Sequence, residues 1–188
     1  MCGIVAYVGN RRAFPILIKG LQRLEYRGYD SAGVAIISEN QNRINTFKQA
    51  GKVDDLLEYI GDQDTNGSIG VGHTRWATHG PPNQINSHPH SSSDGQFSLI
   101  HNGIIENYAS LKKVLENKGN VFKSDTDSEV LMYLIEDVYK NGLKGYTGTD
   151  NDPNWDYEDN KTLFKAIRIA LNEVIGAYAI VVLDQANP

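Results

Sequence analysis

The chain begins Met1-Cys2-Gly3-Ile4-Val5-Ala6-Tyr7-Val8-Gly9 (MCGIVAYVG, residues 1–9), and Cys2 is the only cysteine among 188 residues. Residues 3–8 are a short apolar, β-branched run bounded by Gly and Asn, the pattern of a buried strand. The thiol therefore stands immediately before a predicted strand. A single cysteine excludes an intramolecular disulfide and any cysteine-clustered zinc site.

A cysteine thiol titrates near 8.5 and needs help to attack at neutral pH, whereas a free α-amine titrates at about 7.7 to 8.0. If Met1 is removed, Cys2 carries nucleophile and base in one residue, the logic of N-terminal nucleophiles. A retained Met1 acylates that nitrogen and removes the base, so activity requires its removal. The alternative is an incidental surface or core thiol.

Outward from that strand, GVAII (33–37) is a second buried strand, and Phe14, Leu17, Leu21 and Leu24 recur at helical spacing between the two. RINTFKQ (43–49) alternates as a strand does, and KVDDLLEYIG (52–61) reads as a short helix closed by glycine. SIGVGHT (68–74) and QFSLIHN (96–102) are further strands. The segment between them is rich in Pro, Ser, Asn and Gly, and a loop of that length inside a domain is more often functional than idle. Ile104, Tyr108, Leu111 and Leu115 mark one amphipathic helix, Val130, Leu131, Leu134, Ile135 and Val138 a second, and Leu163, Phe164, Ile167, Leu171 and Val174 a third. GAYAIVVLD (176–184) is a last strand. Strands and helices come in blocks, so the class is α+β.

The length suits one domain. Eighteen basic against 23 acidic residues leave a net charge of −5, which argues against a nucleic-acid-binding surface. No apolar run approaches the roughly 20 residues of a membrane span. Arg11 and Arg12 follow the first apolar stretch instead of preceding it, unlike a signal peptide. A cytoplasmic location is expected, and a reducing compartment suits the unpaired thiol. Residues 144–161 turn polar and acidic, as in a surface insertion. The chain stops just after an apolar strand, which raises the expectation that the domain is incomplete at its C-terminus.

Three other stretches can carry chemistry. In HTRWATHG (73–80), Arg75 beside Trp76, flanked by Thr74, Thr78 and His79, can grip a carboxylate bidentately with hydroxyl support, or else form a structural ion pair against a packed indole. In HNGIIEN (101–107), where a strand is expected to turn into a helix, Asn102 and Gly103 offer two N–H donors for a developing oxyanion, or else make an Asn-Gly turn. SDTDSE (124–129) opens a helix with ordinary capping residues, Glu129 being placed for the first turn, and one of Asp125 and Asp127 can face a pocket and bind an ammonium. All five histidines lie between positions 73 and 101. There is no H-E-x-x-H, and His88 and His90 straddle a proline, so neither a metal nor another cofactor is expected. The acidic run Asp150, Asp152, Asn154, Asp156 fails as a calcium loop, with Trp155 where the turn glycine belongs.

Together, MCGI, LQRLEYRGYDSAGVA (21–35), GHTRWATHG (72–80), NSHPH (86–90), HNGIIEN and SDTDSE resemble the class II glutamine amidotransferases, and within them the branch that aminates fructose 6-phosphate. The match is dense from residue 2 to about 135 and then weakens. The resemblance implies an N-terminal-nucleophile hydrolase fold: a four-layer αββα sandwich of two antiparallel sheets between helical layers, forming one glutaminase domain over residues 1–188. It implies Cys2 as nucleophile with its freed amine as base, and Asn102 with Gly103 as the oxyanion hole. Arg75 would hold the α-carboxylate of L-glutamine, Trp76, Thr78 and His79 would shape that side of the pocket, and Asp127 would hold the α-ammonium. His88 matches a position near the pocket without an assigned role. In the family, ammonia released from glutamine passes to a sugar-isomerase module, absent from this chain, which makes glucosamine 6-phosphate from fructose 6-phosphate, and the full-length enzyme is expected to be a homodimer.

Overall fold

The structure, a computed structural model, describes residues 2–28, 30–77, 80–142 and 163–187. The first strand, β1 (Gly3–Val8), pairs antiparallel with β4 (Ile69–Arg75), which pairs on its other side with β2 (Ser31–Ser38). β3 (Arg43–Ala50) completes a four-stranded sheet in the order β1-β4-β2-β3. A second sheet has the order β5-β6-β7, from β5 (His90–Ser91), β6 (Phe97–Ile105) and β7 (Gly176–Asp184), all antiparallel.

Side-chain alternation along the strands divides the interior into three layers. On β2, Ala32, Val34 and Ile36 pack against Leu17 and Leu21 of α1 (Ala13–Leu24) and Leu56 and Ile60 of α2 (Val53–Ile60). The intervening Ala35 and Ile37 join Val71, Ile100 and Leu183 in a core between the sheets. On the far side Phe97, Leu99 and Ile105 of β6 bury against α4 (Asp127–Asn141) and α5 (Leu163–Asn172), with Leu115 of α3 (Tyr108–Asn117) closing one end. The fold is the αββα four-layer sandwich of the N-terminal-nucleophile hydrolases. Helix α4 presents no solvent-exposed face over its first three turns: every residue from Asp127 to Val138 is buried, polar ones included, because α3 and α5 pack on it as well as the sheet.

Two expectations are corrected. Ile104 does not begin a helix: β6 runs on through Asn102 and Gly103 to Ile105, and α3 starts at Tyr108. The Asn-Gly pair is therefore not a turn but lies within a strand, opposite Ala179 and Tyr178 of β7. The described residues of the Pro- and Ser-rich segment that follow Arg75 are irregular except for His90–Ser91, which pairs with Leu99 and Ser98. The acidic insertion at 144–161 lies outside the described residues. Among the described residues, no helix is long and apolar enough to cross a membrane.

Candidate active site

Strands β1, β4 and β6 converge at one end of the sandwich, and their ends line a cavity of about 670 Å³ together with the N-terminus of α4 and residues 177–179 of β7. Cys2 enters this cavity because β1 begins one residue later, in register with the end of β4: Gly3 faces Thr74. Cys2 Sγ accepts a hydrogen bond from the backbone N–H of Trp76 at 3.2 Å and lies 3.6 Å from the Trp76 carbonyl oxygen. The Trp76 side chain is more than half exposed at the rim.

The Trp76 peptide is held from behind. Asp30 accepts from the Ala77 N–H through Oδ2, and its own N–H donates to the Arg75 carbonyl at 3.2 Å. Arg75, almost fully buried at the end of β4, lines the cavity and directs Nη2 and Nη1 at the carbonyls of Gly80 and Pro81, each at 3.4 Å. Thr78 and His79 lie outside the described residues.

Opposite Cys2, Asn102 donates from Nδ2 to the Cys2 carbonyl at 3.4 Å, and its Oδ1 lies 2.7 Å from His73 Nε2. Gly103 follows with φ +138°, and a Cβ there would stand 2.0 Å from the carbonyl of Ala177. Only glycine fits this position, so the strand can carry an extended backbone through the cavity wall.

The fourth stretch behaves as its capping chemistry predicts. Thr126 caps α4, accepting from the Glu129 N–H at 3.3 Å, and the Glu129 carboxylate takes the N–H groups of Lys123 and Ser124. The first residue inside the cap is Asp127, whose Oδ2 accepts from the Ile105 N–H at 2.9 Å while the residue lines the cavity. A carboxylate at a helix N-terminus is stabilised by the dipole. Of the two aspartates left open by sequence, Asp127 is the one at the cavity; Asp125 instead meets the Asn86 amide at 3.3 Å.

Beneath the site lies a group of buried imidazoles. His88 Nε2 and His101 Nδ1 reach the Ser128 hydroxyl at 2.8 and 2.9 Å, His90 Nε2 reaches Thr126 Oγ1 at 3.0 Å, and the His73 and His88 rings stand 4.4 Å apart. Gly33 on β2 lets the His88 carbonyl approach to within 2.0 Å of where a Cβ would be. Burial pushes His73 down to about 4 and holds His88 and His90 well below the usual histidine value, aided by the neighbouring cations. Among the described residues no three His, Cys, Asp or Glu side chains are disposed to share a metal ion.

Sequence reasoning missed His73, Arg27, His101, Thr126 and Ser128 at this site. A usable signal existed for His73, which is two residues from Arg75 on one strand and so shares its face.

A family model described as glutamine amidotransferase domain matches residues 60–166, more than half of the chain. The chain belongs to the glutamine amidotransferase family. A glutamine–fructose-6-phosphate aminotransferase [isomerizing] of Bacteroides thetaiotaomicron is 55% identical over the whole chain, and one of Thermococcus kodakarensis is 46% identical over the same length. This amidotransferase domain spans only 28% of each of those relatives. Among solved structures, the glutamine phosphoribosylpyrophosphate amidotransferase of B. subtilis aligns over 98% of the domain and 35% of its own chain, at 25% identity and a TM-score of 0.71. An allosteric regulatory enzyme of purine biosynthesis aligns over 98% and 36%, at 26% identity and a TM-score of 0.72.

Proposed function

We propose that this domain hydrolyses L-glutamine to L-glutamate and ammonia through a thioester on Cys2. The observation that carries the reading is the meeting, in one cavity, of the Cys2 thiol with Asn102 on one side and with Arg75 and Asp127, a cation and an anion suited to an α-amino acid, as further lining.

With Met1 removed, the Cys2 amine takes the thiol proton as sulfur attacks the side-chain amide carbon. The oxyanion that forms is stabilised by the Asn102 side-chain amide and the Gly103 N–H. The ammonium proton passes to the leaving nitrogen, ammonia departs, and water, activated by the same amine, cleaves the γ-glutamyl thioester. Arg75 binds the substrate α-carboxylate and Asp127 the α-ammonium, with Trp76 at the rim, and the motif assigns Thr78 and His79 to substrate binding. Met1, Thr78 and His79 lie outside the described residues, and their roles rest on the sequence motif.

The names of the relatives support a wider reading: ammonia made here serves the amination of fructose 6-phosphate in a longer protein of which residues 1–188 are the glutaminase part. The motif resemblance extends that reading to glucosamine 6-phosphate as the product and to a cytoplasmic homodimer. The test is intact mass and glutamate release on one preparation, with Cys2→Ala as control. Turnover that vanishes in Cys2→Ala supports the reading. Glutamine binding without turnover, in protein whose mass shows Met1 gone, replaces it with a glutamine-binding module.

A further inference from the structure

We propose that His73 is a positioning residue that aims the Asn102 side-chain amide at the oxyanion, a role that rests on the glutaminase reading above. The two side chains approach across the space between the sheets. Asn102 projects from β6 on the same face as Ile100, and His73 from β4 on the same face as Val71, both of which belong to the inter-sheet core. The contact is short, His73 Nε2 to Asn102 Oδ1 at 2.7 Å, and His73 is 1% exposed.

An amide can be turned over, exchanging oxygen for nitrogen, and only one orientation serves catalysis. The Cys2 carbonyl lies 3.4 Å from Nδ2; reversing the amide would set oxygen against oxygen there. With Oδ1 toward His73, the shared proton belongs to the imidazole, because an amide oxygen only accepts. His73 Nδ1 is buried and has no hydrogen-bond partner among the described residues, so a proton there would be an unpaired buried donor. Both nitrogens thus select one neutral tautomer, protonated on Nε2. Burial holds the ring neutral at neutral pH.

The backbone explains why this contact matters. His73 sits in the middle of its sheet, opposite Ile4 of β1 on one side and Gly33 of β2 on the other. Among the described residues Asn102 is paired on one side alone, with Ala179 of β7, since β5 meets β6 no further along than Leu99. The better-anchored strand orients the side chain of the less anchored one. Donation into Oδ1 also polarises the amide and makes Nδ2–H a stronger donor to a developing negative charge.

The experiment uses the full-length gene product with the Cys2 amine exposed. His73→Leu removes the donor and His73→Gln restores an N–H at a similar reach. The expected result is that His73→Leu lowers kcat for glutamate release by at least about tenfold, but less than the roughly 10² to 10³ expected for losing the Asn102 donor itself, with KM for glutamine unchanged. His73→Gln should recover part of the loss, and His73→Leu should cost little more in an Asn102→Ala background, because the two residues act as a unit. An equal loss in that background, or a raised KM with unchanged kcat, overturns the proposal. Nitrogen NMR of the wild-type imidazole tests the geometry apart from turnover: a neutral ring protonated on Nε2 supports it, and a ring protonated on Nδ1 overturns it. If processed wild-type protein releases no glutamate, the glutaminase reading fails and the catalytic role falls with it, whereas an active wild type with an unaffected His73→Leu variant refutes His73 alone.

Discussion

The backbone N–H of Trp76 donates to Cys2 Sγ at 3.2 Å, joining residues 74 positions apart in sequence. The bond depends on the adjacent peptide, where Asp30 holds the Ala77 N–H. A carboxylate accepting a backbone N–H is worth about 1.5 to 3 kcal/mol, and part of that stabilisation keeps the loop aimed at sulfur. Asp30→Ala is expected to lower kcat/KM for glutamine about tenfold, which is about 1.4 kcal/mol, and to slow alkylation of Cys2. Alkylation and turnover at wild-type rates would show that the loop holds its place without Asp30.

Arg75 reaches the carbonyls of Gly80 and Pro81 with two different terminal nitrogens, so its fork is both a loop anchor and a candidate carboxylate clamp. A lysine ammonium is a point charge and cannot serve both uses. Arg75→Lys is expected to raise KM for glutamine by about tenfold with a smaller change in kcat, read from initial rates of glutamate release. An unchanged KM would leave Arg75 with the loop alone.

Gly103 has no room for a methyl group against the Ala177 carbonyl and holds a φ of +138° that L-residues rarely adopt. Gly103→Ala is expected to cost at least about 2 kcal/mol in urea unfolding and to abolish most turnover, since β7 must shift to admit the Cβ. A wild-type unfolding midpoint would mean that β7 moves freely at this point.

The buried histidines predict acid sensitivity. His73 titrates at about 4 in the folded chain against about 6.5 unfolded, so between those values the unfolded state binds more protons. Its contribution is fully present above pH ~6.5 and is lost progressively as the pH falls to about 4, on the order of 3 kcal/mol for this residue. His88 and His90 act in the same direction. Urea midpoints measured across that window should fall steadily; a flat profile would show that these rings charge as readily when folded as when unfolded.

Several elements were legible because their causes are local. The β-branched run after Cys2, the strand at 176–184 and the capping residues before α4 depend on neighbours within a few positions, and each appears where expected. The stretch around Asn102 was misread because two short-range signals pointed away from a strand: Asn-Gly favours turns, and Ile104 is at helical spacing from Tyr108, Leu111 and Leu115. Pairing with β7, more than 70 residues later, outweighs both.

The sequence by itself determined the candidate nucleophile and the family of motifs around it, since a lone Cys2 before a strand, the Arg75 stretch and the Thr126 cap are statements about residue type and spacing. Only the tertiary structure decided which of them meet. That Asp127 and not Asp125 reaches the cavity follows from where Ile105 and Asn86 stand. That His73 serves Asn102 follows from two sheets packed face to face, bringing strands 29 residues apart to hydrogen-bond distance. Local chemistry sets what each segment can be; the long-range pairing of sheets sets what it touches.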